Sequence, residues 1–238
     1  MSSLIEKWHP VTSDFGLIRA PLQRVVSEYE NWRGSDGTKH VRAEIASSLA
    51  DALGSLLPLA MSKMRRLFVP TRSDWVAFFQ NGIQGSDPFP AMSYLATRMG
   101  VLAMRVCCTP ESAKYPATIW EVYAPESLGG CPPLGYRRSI AAANDGGRWV
   151  FSESGERYPF EHIERYTERR KRDRFSREML RNYLRHFGIE LFTDEFLHLD
   201  AGSPAVRLQQ ITNVQHAPEY TLEQVVAGVP WQRTREPR

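Results

Sequence analysis

From about Lys63 to Ser154 the apolar residues recur at a period of two, in six short runs separated by turn residues, and this pattern limits the fold more than any other. The runs KMRRLFVP and SDWVAFFQNG share a tight Pro-Thr-Arg connection. In the second, Trp75, Ala77 and Phe79 oppose Val76 and Phe78, so both faces are apolar and the strand belongs inside a sheet. VLAMRVCC sets Leu102, Met104, Val106 and Cys108 against Ala103, Arg105 and Cys107, and ATIWEVYA sets Ile119, Glu121 and Tyr123 against Thr118, Trp120 and Val122. YRRSIAAAN and RWVFSES flank Asn144-Asp145-Gly146-Gly147, residues that tolerate positive φ, which predicts a β-hairpin.

Helical spacing appears on either side of these runs. Leu22, Val25, Val26, Tyr29 and Trp32 form one stripe that stops at GSDG. Thr38 reads as an N-cap for a second helix, with Val41, Ile45, Leu49, Leu53 and Leu56 along one side and Pro58 at its end. PAMSYLATRMG predicts a short helix crossing the sheet, with Met92, Leu95, Ala96 and Met99 on one side. Pro159 opens a charged helix with Phe160, Ile163 and Tyr166 inward. Ser176 caps another, whose stripe is Met179, Leu180, Tyr183, Leu184 and Phe187, ending at Gly188. AGSPAVRLQQITNVQHAPEY has room for one more strand, TLEQVVAGV for a short helix, and WQRTREPR reads as a frayed tail.

These segments predict an α+β fold: an antiparallel-rich sheet of about six strands, with helices before, within and after it, packed mainly on one face. The chain divides into an N-terminal helical segment over 1–62, a central sheet with following helices over 63–199, and a partly irregular extension over 200–238. At 238 residues and 42 % apolar content it can bury a substantial core. There is no run of 18 apolar residues, and MSSLIEKWHP lacks the blocks of a signal peptide, so a soluble cytoplasmic protein is expected.

Cys107, Cys108 and Cys131 are odd in number, and the first two point to opposite faces of one strand, which argues against a disulfide framework. The six histidines, His9, His40, His162, His186, His198 and His216, show no zinc spacing with them, so neither a metal nor another cofactor is expected. No GxxxxGK[ST], GxGxxG, GxSxG or HExxH occurs. NGIQGSD, between a strand and a helix, offers backbone amides to an anion, with Gly85 and Asp87 as its notable residues; a loop using glycine for conformation alone explains the same letters. Glu121, Asp145, Glu153 and Glu156 are the carboxylates that the strand reading brings toward one sheet edge. The net charge of +3 is local: 159–186 holds nine Lys or Arg against five Asp or Glu. Read as a helix, that run spaces Arg170 four residues before Arg174, a solvated face or an anchor for an acidic partner or for phosphates.

RSDWVAFFQNGIQGSD (72–87) and the block from RRSIAAANDGGRWVFSESGERYPFEHIERY to GIELFTDEF (137–196) resemble bacterial immunity-type proteins, the antidotes that accompany secreted or contact-delivered toxins. That resemblance implies a non-enzymatic protein that binds and covers a cognate toxin. On this reading the candidate partner-binding residues are Arg170, Arg174, Gly85 and Asp87, with Asn144 and Asp145 at the hairpin turn. The mild basicity favours a toxin with an acidic cleft over a nuclease. Two alternatives stand beside it: a small enzyme with an anionic-ligand pocket between the 81–87 loop and the 144–147 turn, and a regulator touching nucleic-acid phosphates through 164–177.

Overall fold

The computed structural model describes residues 7–231 except 192, 194 and 216; the frayed tail expected at 231–238, apart from Trp231, which closes a 3-10 turn, lies outside the described residues, as do His216 and the first six residues of the segment read against a signal peptide. In chain order the elements are β1 (Asp14–Ile18), α1 (Leu22–Gly34), β2 (His40–Ile45), α2 (Leu49–Gly54), β3 (Leu59–Ala60), β4 (Arg65–Pro70), β5 (Val76–Gln80) and α3 (Phe89–Met99). There follow β6 (Ala103–Cys108), β7 (Ala117–Tyr123), β8 (Tyr136–Asp145), β9 (Arg148–Gly155), α4 (Arg177–Arg185), β10 (Ala205–Gln210), β11 (Glu219–Tyr220) and α5 (Leu222–Val226).

The sheet has nine strands rather than about six, in the order β2-β10-β4-β5-β1-β6-β7-β8-β9, and every neighbouring pair is antiparallel. All six expected strands are present. The three additional ones come from 1–62 and 200–238, so the expected helical segment and irregular extension both build the same sheet.

β2 replaces the start of the helix expected from Thr38. Val41, Ile45 and Leu49 are four apart, but residues four apart share a face in a strand as well as in a helix. The polar series His40, Arg42, Glu44 alternates with Val41, Ala43, Ile45, as an edge strand requires, and the helix begins only after Ser48, whose Oγ accepts from the Asp51 amide at 3.0 Å.

Helices cover both faces of the sheet, not mainly one. Leu17, Leu67, Phe79, Val106, Trp120 and Ile140 point to a first face, packed by α2, α4 and the chain around Phe196. Ile18, Phe68, Phe78 and Ala103 point to the second face, packed by α1 and α3. Trp120 is the fully buried centre of the first core, with the rings of Tyr158, Phe160, Tyr183 and Phe187 between 5.7 and 6.4 Å from its own.

The continuous basic helix expected from Pro159 is absent. Two 3-10 turns, Ile163–Thr167 and Lys171–Asp173, stand in its place, separated by extended backbone at Glu168 (ψ 144°) and Arg170 (ψ 118°). Past Tyr166 this segment has no apolar period to hold a helix on the sheet. An Arg138–Glu161 pair fixes it instead: Arg138 Nε and Nη2 donate to the two Glu161 oxygens at 2.9 and 2.6 Å, and the Tyr166 hydroxyl donates to Glu161 at 2.8 Å.

The hairpin forms as predicted, with Asp145 opposite Arg148 and Gly146 and Gly147 at φ 60° and 93°. Gly155 closes the other end of β9 under tighter constraint: at φ +85°, a Cβ there would stand 2.1 Å from the Arg137 carbonyl oxygen. Gly155→Ala is expected to cost at least about 2 kcal/mol, a fall in Tm of about 4–8 °C. Gly147→Ala, with open space around it, is expected to cost about 1 kcal/mol. Equal losses in thermal melts of the two variants would contradict this account of Gly155.

Candidate functional site

The second face is covered unevenly. α3 packs against β1, β6 and β7. The second core takes Tyr136 from the start of β8 and nothing beyond it. Cross-strand pairing then places Cys107, Ile119, Ala141 and Ser152 in one row and Arg105, Glu121, Ser139 and Ser154 in the next, all on this face. Val150, Ser152 and Ser154 are exposed, while Ser139, Ala141 and Ala143 are half-buried among small neighbours. The outcome is a flat half-sheet of short side chains, ending at the edge strand β9.

A polar chain marks the border between the covered and open halves. Arg105 holds Asp14 with two hydrogen bonds, Nε to Oδ1 at 2.9 Å and Nη2 to Oδ2 at 2.7 Å, and its Nη1 lies 3.5 Å from Glu121 Oε2. That same Glu121 oxygen accepts the Tyr123 hydroxyl at 2.6 Å. A register shift between Val122 and Tyr123 lets Tyr123 meet Tyr136, with ring centres 4.9 Å apart.

Burial pushes the Asp14 carboxyl up from its ordinary range, against the pull of Arg105. Burial also raises the Cys107 thiol well above its ordinary value, with the Asp14 charge adding to it, which leaves Cys107 protonated and unreactive at neutral pH. Both carboxylates of the row are therefore committed to one guanidinium. Neither is placed as a free base, and Cys107 is no nucleophile.

Gly85 and Asp87 reach this border. The loop packs against β1: Ser86 N donates to Asp14 O at 3.0 Å, a Cβ on Gly85 would stand 3.2 Å from Asp14 Cβ, and Asp87 takes a hydrogen bond from Lys63 Nζ at 3.0 Å. Three of its amides are engaged within the fold, Ile83 N to Ala60 O, Gly85 N to Gly82 O and Ser86 N to Asp14 O. Asn144 is at the hairpin tip, where its Oδ1 accepts from Gly147 N at 2.8 Å, beside exposed Asp145.

Arg170 and Arg174 lie in the segment beneath the first face. Arg170 is exposed; Arg174 Nε donates to Glu168 O at 2.7 Å and its guanidinium sits 5.6 Å from the Phe151 ring centre. Of the carboxylates read as possible acids, Glu121 faces Arg105, Glu153 faces Arg138 and Arg157, and Asp145 and Glu156 are exposed.

A groove of about 650 Å³ includes Ile83 and Gln84 of the 81–87 loop, with His9, Thr109, Tyr115 and Val226, but nothing from the 144–147 turn. His9 Nδ1 is 2.6 Å from Ser13 Oγ, and burial lowers the imidazole pKa. Among the described residues no carboxylate hydrogen-bonds the other His9 nitrogen, as a nucleophile–base–acid relay requires. Among the described residues no three His, Cys, Asp or Glu side chains are grouped to hold a metal ion, and no helix is long and apolar enough to cross a membrane.

Sequence reasoning missed Asp14, because β1 is five residues flanked by no clear turn signal. It also missed Arg138 and Glu161 as partners. An arginine inside an otherwise apolar strand was the available clue, for Arg105 as for Arg138. Comparison with protein-family models, curated proteins and solved structures found no match.

Proposed function

We propose that the protein is a non-enzymatic binding module that docks a protein partner on the open second face of β7, β8 and β9, and that it works in the cytoplasm as the antidote of a cognate toxin. The observation that carries this reading is the uncovered half-sheet itself. It is antiparallel and lined mostly by small side chains, and the charges at its border are already paired. The toxin as partner rests on the resemblance of 72–87 and 137–196 to immunity-type proteins.

Geometry limits the mode of docking. Three strands about 4.8 Å apart and about eight residues long present on the order of 400 Å², against about 800 Å² per partner in a standard interface. The rim must supply the remainder, which brings in Asn144 and Asp145 on one side and the Gly85–Asp87 loop on the other. The test is calorimetry of the purified protein with the product of the adjacent gene. A one-to-one complex of micromolar or tighter affinity is the expected result; no binding at those concentrations contradicts the antidote reading.

A further inference from the structure

Two arginines in the sheet interior are each gripped by a pair of carboxylates: Arg138 by Glu153 and Glu161, Arg105 by Asp14 and Glu121. Arg66, on β4, is 7 % exposed, yet among the described residues no carboxylate forms a salt bridge with it. Its Nη1 donates to Met64 O at 3.2 Å and to Gln210 Oε1 at 2.9 Å. Its Nε is buried without a partner. A buried cation with neutral partners only carries a large desolvation cost.

Two more nitrogens nearby are in the same condition, Arg33 Nε in the last turn of α1 and His40 Nε2 at the start of β2. The three side chains share one neighbourhood. Arg66 Cζ is 6.0 Å from the Tyr29 ring centre, that ring is 6.1 Å from the His40 ring, and Gln210, the partner of Arg66, pairs in register with His40. The facing carboxylate, Asp36, already accepts from Arg33 Nη1 at 3.1 Å, the Thr38 amide at 3.1 Å and the Thr38 hydroxyl. Clustered buried polar atoms without partners in a native fold signal an ion or water that completes them.

We propose that Arg33, His40 and Arg66 form a binding site for a phosphate-class oxyanion, enclosed between the end of α1, the 36–38 turn and the first residues of β2 and β4. Two guanidinium donors and an imidazole nitrogen, which donates in its Nε2–H tautomer, stand on three separate elements, and a tetrahedral oxyanion offers four oxygens to groups so arranged where chloride offers a single centre. The charge fits as well, since the anion neutralises Arg66 and Arg33, which otherwise repel each other. Entry runs past Arg33, whose side chain is 27 % exposed. This site stands on the opposite half of the second face from the docking surface and does not depend on it.

His40 provides the readout. Burial, then Arg66 and Arg33, push its pKa from 6.5 down to about 4, with Asp36 pulling the other way. The folded value lies below the unfolded one, so protonation favours the unfolded chain: this contribution to stability is intact above about 6.5 and is lost as the pH falls toward 4. His40→Asn removes that part of the pH slope. A bound oxyanion offsets the two arginines, so the His40 proton resonance titrates at higher pH in phosphate than in chloride of equal ionic strength.

The experiment titrates the full chain with inorganic phosphate and with glycerol phosphate, reading the thermal midpoint of wild type, Arg33→Gln and His40→Asn, and the His40 resonance of wild type and Arg33→Gln. Expected are an upward His40 titration and a concentration-dependent rise in Tm, with affinity on the order of 10-fold weaker in the variants. Tighter binding of the ester assigns the site to a phosphorylated small molecule, and equal or tighter binding of phosphate to the free ion. Chloride and both phosphates giving the same Tm and His40 titration, or the variants responding like wild type, overturns the proposal.

Discussion

Glu161→Gln is expected to destabilise the protein by about 3–5 kcal/mol, the largest loss from any single charge removed here. Glu161 is 7 % exposed and accepts from Arg138 Nε and Nη2, the Tyr166 hydroxyl and the Tyr158 amide. An amide in its place loses the charge that balances fully buried Arg138 and turns an NH2 group toward donors. In urea the midpoint should fall with the m-value unchanged, since the surface exposed on unfolding is the same. Arg138→Met combined with Glu161→Leu should recover most of the loss, because an apolar pair removes the buried charge with its partner. If the double variant is as unstable as Glu161→Gln, this pair is not what holds the 158–183 segment on the sheet.

The third member of the group sets a pH dependence. Glu153 is held below the usual carboxylate range by Arg157 first and by Arg138 second. Its folded pKa is below its unfolded value of 4.5, so its contribution is present above that value and lost as the pH falls through the folded pKa. Glu153→Gln should flatten the acid limb of a stability profile and leave the neutral limb unchanged.

The second large effect is on binding. Ala141→Arg and Ser152→Arg each place a long charged side chain on the open half-sheet, where the wild-type residues are small. Both should fold, because the side chain can lie over the sheet with its charge in water. Both should weaken the complex with the adjacent gene product on the order of 100-fold or more, since a flat interface cannot accommodate the bulk at its centre. Arg170→Ala and Arg174→Ala, on the other side of the sheet, should leave affinity within about a factor of three, and their thermal midpoints separate any folding effect from a binding one.

The legible parts of this fold were those where one period dominates. The central strands alternate with apolar residues on both faces, and α4 carries its cap and stripe together, so both could be read from the letters. β2 was misread because a spacing of four fits either period and its outward face is charged. The charged segment after Pro159 was read as a helix from that proline and the spacing of Phe160, Ile163 and Tyr166, whereas a buried ion pair with a residue 23 positions earlier decides its path. The polar row was only half visible. Arg105 and Glu121 were marked as a strand arginine and a strand acid, but the other carboxylate on Arg105, Asp14, lies on β1, 91 positions from it. Gly85 and Asp87 were singled out in a loop offering amides to an anion; the loop packs against that aspartate through Gly85 and Ser86, and Asp87 meets Lys63.

Hydrogen exchange of the protein alone and in complex with the adjacent gene product tests the central claim most directly. Docking on the open half-sheet predicts added protection in β7, β8 and β9 and at the 144–147 turn, with the 163–174 segment unchanged. Protection confined to that segment, or to the groove around His9 and Tyr115, would contradict it.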